Sequence, residues 1–83
     1  MEVKTYIAVG FGDYGGAWGK HLGNPSKAVK GMRREDRTIR NYSIFECPDP
    51  ETYVDPSGCF CYANADMYKP VKVAEYRNNR KVS

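Results

Sequence analysis

Apolar and polar residues alternate from Val3 to Phe11: Val3, Thr5, Ile7, Val9 and Phe11 fall on one side, and Lys4, Tyr6, Ala8 and Gly10 on the other. A period of two is the signature of a half-buried strand. Asp13-Tyr14-Gly15-Gly16 follows as turn chemistry, because adjacent glycines accept positive φ without steric cost. Ala17 to Leu22 is expected to return as a second strand, with Trp18 anchored on the core.

The period then changes. Asn24-Pro25-Ser26 is a helix start, with asparagine as the N-cap and proline in the first helical position, where its missing N–H is not needed. From Pro25 to about Asp36, Ala28, Val29 and Met32 form one stripe. Lys27, Lys30, Arg34 and Arg37 gather on the opposite side, with Arg33 at its margin. Gly31 weakens this helix by ~1 kcal/mol relative to alanine and suggests close approach to the sheet.

Asn41 to Cys47 reads as a strand, interrupted by Pro48-Asp49-Pro50, whose prolines cannot donate to a ladder. Thr52-Tyr53-Val54 and Cys59 to Tyr62 are expected to pair as a hairpin about Asp55-Pro56-Ser57-Gly58, which has type I turn chemistry. Val71 to Tyr76 makes a last strand, with Val71 and Val73 inward and Lys72, Ala74 and Tyr76 outward. Residues 77–83 are expected to fray.

The 83 residues therefore predict a single α+β domain. It is a mostly antiparallel sheet of four to five short strands with one helix on one face, in the order β-β-α-β-β-β. The other sheet face would lack a helix. Tyr6, Tyr76 and Tyr42 are expected there, as an aromatic contact surface. Strand packing is the simpler explanation for tyrosines as such.

Composition narrows the function classes. So short a chain buries only about 60% of the surface its unfolded form exposes, leaving little room for a substrate cleft. No apolar run approaches the ~20 residues that cross a bilayer, and the first residues lack the features of a signal peptide. Three cysteines, an odd number, point to free thiols in a reducing compartment, so a cytoplasmic location is expected. The net charge of +3 is segregated: basic to Phe45, acidic from Glu46 to Tyr68, basic again from Lys69. Such blocks steer association with a partner of complementary potential, or neutralise one another in the fold.

Sites of chemistry are poorly supported. Gly10, Gly12 and Gly15 match a dinucleotide fingerprint, but no helix opens there and the two-half sheet that makes the crevice does not fit. A P-loop at Gly19-Lys20 fails because Tyr14 replaces its first glycine and His21 its Ser or Thr. Cys47, Cys59, Cys61 and His21 are a conceivable zinc set, but the paired spacing of structural zinc sites is missing, and buried thiols are the plainer reading. A cysteine–His21 nucleophile has no supporting signature, and Glu51 with Asp55 would be too solvated for a pKa shift. No enzyme activity, cofactor, metal or small-molecule substrate is expected.

Binding is expected instead, through three groups of residues. The first is the basic helix face, Lys27, Lys30, Arg34 and Arg37. The second is the acidic hairpin, with Glu51, Tyr53 and Asp55 on a stiff Pro-rich turn suited to a basic groove. The third is the aromatic set Trp18, Tyr6 and Tyr76. In size and style the lone Gly-rich hairpin, the Asn24-Pro25-Ser26-Lys27-Ala28-Val29 helix and the Tyr53-Val54-Asp55-Pro56-Ser57-Gly58 hairpin resemble a small phage or mobile-element accessory protein of the anti-CRISPR or anti-defence type. That resemblance covers overall form and transfers no functional residue. It implies a stoichiometric inhibitor that occludes a host protein or ribonucleoprotein complex that processes nucleic acid. The alternative is a small nucleic-acid-binding protein using the basic helix face and the sheet tyrosines.

Overall fold

A computed structural model of the chain describes residues 4–47, 51–54, 60–61 and 70–83. Strands β1 (Thr5–Gly12) and β2 (Gly15–Leu22) form a tight hairpin in which Gly12 faces Gly15, and Gly15 takes φ +113°. Helix α1 (Pro25–Glu35) follows, then β3 (Asn41–Cys47), β4 (Tyr53–Val54), β5 (Phe60–Cys61), β6 (Val71–Arg77) and β7 (Arg80–Lys81). Five strands make one antiparallel sheet in the order β2-β1-β3-β6-β7, and β4 pairs with β5 separately. The fold class is α+β, with one helix packed on the sheet. No helix among the described residues is long and apolar enough to cross a membrane.

The helix starts where its sequence says it should. Asn24 Oδ1 accepts from the Ser26 N–H at 3.0 Å and the Lys27 N–H at 3.4 Å, with Pro25 next in the first turn. At the other end the Asp36 N–H donates to Met32 O. The Asp36 carboxylate then accepts from both the N–H and the hydroxyl of Thr38, at 2.9 and 2.6 Å. Thr38 Oγ1 accepts in turn from the Asp13 N–H at 2.7 Å, which ties the tip of the β1–β2 hairpin to the helix exit. Ordering by Thr38 holds the Asp36 carboxyl below its ordinary pKa.

Which sheet face the helix covers differs from the expectation. The helix lies on the side of Tyr6, Ala8 and Gly10. Its core joins Ala8, Ala28, Met32, Ile39, Tyr42, Ile44 and Ala74, with Tyr6 and Tyr76 packed against it. The reason is side-chain size. Gly19 lets the helix backbone come close, since a Cβ there would collide with the backbone of Ala28 and Met32, and Gly10 leaves room for Ile39 and Tyr42 of the same core. The larger residues Ile7 and Val9 face the opposite side, where Ile7, Cys47 and Val54 form a second buried cluster flanked by Val9, Trp18 and Phe45. Trp18 thus packs against a core, as expected, but the core away from the helix.

The C-terminal end departs from the expectation in two respects. The pairing of β3 with β6 shifts between Ile44 and Phe45, so that Ile44 faces Ala74 while Phe45 faces Lys72. This bulge breaks the simple alternation. Ala74 is buried, whereas Val71 and Val73 are exposed, the reverse of the expected assignment. Residues beyond Arg77 are not a frayed tail. Asn78 and Asn79 both adopt positive φ, at 52° and 63°, the conformation a two-residue hairpin turn requires. The Asn79 N–H donates to Arg40 O, and Glu75 exchanges backbone hydrogen bonds with Val82 and Ser83.

Candidate functional site

The antiparallel register sets out the helix-free face row by row. Nearest the β1–β2 turn, Gly16, Phe11 and Asn41 lie side by side. The next row is Trp18, Val9, Ser43 and Glu75, and the third is Lys20, Ile7, Phe45 and Lys72. The lower part of the face is covered: Thr5, Ile7 and Cys47 are fully buried beside the buried Thr52 and Val54. Among the described residues, none covers the upper part. Phe11 is 72% exposed, and Val9, Trp18 and Phe45 are half-buried.

Phe11 is exposed but backed on one side. Its ring rests against Gly16 across the hairpin, so closely that a Cβ on Gly16 would sit 3.1 Å from it. Beside it runs a shallow groove of about 350 Å³ lined by Val9, Phe11, Ser43, Phe45, Glu75 and Arg77, among others. A second, more polar cleft of about 450 Å³ continues over the strand ends past Arg40 and Asn78, and Phe11 and Asn41 line both.

Charge on this face is lopsided. Glu75 is spanned by two cations, with Lys72 Nζ at 3.1 Å from one oxygen and an Arg77 nitrogen at 3.6 Å from the other. Lys72 above all, by hydrogen bond and by charge, and then Arg77 hold the Glu75 carboxyl below its ordinary pKa. Elsewhere Lys4 pairs with Glu46 at 2.7 Å, and the Tyr6 hydroxyl donates to the same carboxylate at 3.4 Å.

The structure separates most of the residues singled out from sequence. Lys27, Lys30 and Arg34 are exposed on the outer helix surface, and Arg37 is exposed too, but in the loop after the helix. Tyr6 and Tyr76 are part-buried on the helix side, so they form no uncovered contact surface. Tyr42 is stacked on Tyr76, with ring centroids 4.8 Å apart and planes 13° off parallel. The Arg33 guanidinium lies over Tyr42 at 5.4 Å and also donates to Asn79 Oδ1. Burial pushes the Tyr42 phenol above its ordinary pKa, partly offset by Arg33. Glu51 and Tyr53 are exposed at and beside β4, and Asp55, with the rest of its turn, lies outside the described residues. Of the named aromatics, Trp18 alone belongs to the open face.

Phe11 and Phe45 also stand on this face, outside the three groups of residues expected to bind. The sequence carries a signal for Phe11: it stands near the end of its strand, two residues past Val9 and across from Gly16 in the glycine hairpin. The thiol–imidazole readings lose one pairing, because Cys47 faces Thr5 and His21 faces Tyr6, on opposite sides of the sheet. No family model, curated protein or solved structure matches the chain.

Proposed function

We propose that this chain is a non-catalytic nucleic-acid-binding protein whose contact surface is the open half of the helix-free sheet face. The observation that supports it most is the placement of Phe11, exposed and backed by Gly16, in one groove with Arg77. Exposed rings on a rigid sheet stack bases, and flanking cations hold phosphates. The acid in this groove, Glu75, is paired with Lys72 and Arg77.

A gel shift with mixed nucleic acid at low and at moderate salt tests this. Binding that weakens steeply with salt supports the reading. Absence of any shift at low salt contradicts it, and favours the second reading, an inhibitor that occludes a host nucleic-acid-processing complex. That reading draws on the exposed apolar residues Tyr53, Val71 and Val73, which suit a protein interface.

A further inference from the structure

We infer that the ligand of the open face is single-stranded, with one base stacked on Phe11, a second near Trp18, and the strand leaving over the sheet end toward Arg40. This rests on the nucleic-acid reading above and narrows it. A ring standing on a flat sheet offers its face, and only an unpaired base has a free face to offer in return. Duplex DNA instead admits an element that projects into a groove. The face here projects nothing of that kind among the described residues. It is a shallow trough.

Platform spacing agrees. Trp18 faces Val9, so it stands one strand across and two residues along from Phe11, a separation of roughly 8 Å on strand geometry. Bases stacked within a helix step are about 3.4 Å apart, so the two rings suit bases splayed from one another on a flexible chain. Cations lie along the path at its Phe11 end, where Asp13 also lines the second cleft. Arg77 lies beside Phe11 in the groove, and Arg40 lines the adjoining cleft that shares Phe11 and Asn41 with it. Asn41 Oδ1 is held by the Asn78 N–H at 3.1 Å, which fixes its amide NH₂ as a donor at the junction of the two clefts.

The test is fluorescence anisotropy of labelled oligonucleotides of one mixed sequence, as single-stranded DNA, single-stranded RNA and duplex DNA, titrated with the full chain. The emission of the chain's one tryptophan, Trp18, is recorded in parallel. The expected result is that at least one single strand binds tenfold or more tighter than duplex and quenches Trp18. Phe11→Ala should weaken that binding by about tenfold, the scale of one lost base–aromatic stack, and Arg40→Ala should lower its salt dependence. Phe11 is exposed, and a thermal melt verifies that its variant is folded. Duplex binding as tight as single-strand binding overturns the inference but leaves nucleic-acid binding standing. No binding of any of the three overturns both.

Discussion

Gly19 on β2 lies directly beneath Gly31 of the helix, so that a Cβ added to Gly31 would meet the Gly19 Cα at 3.6 Å. The two positions are not equivalent. At Gly31 that distance is ordinary contact, and the residue costs the helix stability without being needed for clearance. Gly31→Ala is therefore expected to raise stability, by up to ~1 kcal/mol. A Cβ on Gly19 would instead run into the Ala28 and Met32 backbone, and Gly19→Ala should cost about 1–3 kcal/mol as the helix lifts. Urea unfolding of both variants measures this; equal effects would mean that the helix sits farther from the sheet.

The Arg33–Tyr42–Tyr76 stack fastens the helix to the β3–β6 half of the sheet. Arg33 sits over the ring at 5.4 Å, and such a contact contributes ~0.5–1 kcal/mol at a part-exposed site. A double-mutant cycle with Arg33→Ala and Tyr42→Leu should return a coupling of about that size. A coupling near zero would show that the guanidinium is held by Asn79 alone.

Acid should loosen the helix exit. Asp36 has a pKa lowered from 3.8, chiefly by its hydrogen bonds with Thr38. A carboxyl whose folded pKa is depressed contributes stability that is full above its unfolded value and lost as pH falls through the folded one. The difference in melting temperature between the native chain and Thr38→Val is thus expected to hold at neutral pH and shrink below about pH 4. A difference that stays constant would assign the effect of Thr38 to packing.

Glu75 should oppose the ligand it borders. Its carboxylate occupies Lys72 and Arg77, so Glu75→Gln releases both cations toward phosphate. Affinity for a single-stranded oligonucleotide is expected to rise several-fold, with a steeper dependence on salt. A loss of affinity would mark Glu75 as a contact in its own right.

Much of the architecture was legible in the chain. The alternation of β1, the glycine turn and the Asn24-Pro25 helix start rest on local chemistry, and each element lies where that chemistry puts it. The facing of the sheet was not legible, because β1 carries apolar residues on both sides. Choosing between Ile7 with Val9 and Ala8 with Gly10 needs the knowledge that the helix seats on Gly19. The inward side of β6 was not legible either, since Ala74 and Tyr76 face the helix through their pairing with Ile44 and Tyr42, and the bulge between Ala74 and Lys72 breaks the alternation. The turn at Asn78-Asn79 could have been recognised, as asparagines tolerate positive φ. The helix-free sheet face carries aromatic residues, as expected, but they are Phe11, Trp18 and Phe45, while Tyr6, Tyr42 and Tyr76 lie on the helix side.

The most direct measurement is a titration of the isotopically labelled chain with a short single-stranded oligonucleotide, followed by amide chemical shifts. Shifts concentrated at Phe11, Trp18, Ser43, Glu75 and Arg77, with Lys27, Lys30 and Arg34 unmoved, are the expected result. Shifts confined to the outer helix surface, or none at all, would contradict the assignment of the open sheet face as the place where this protein meets nucleic acid.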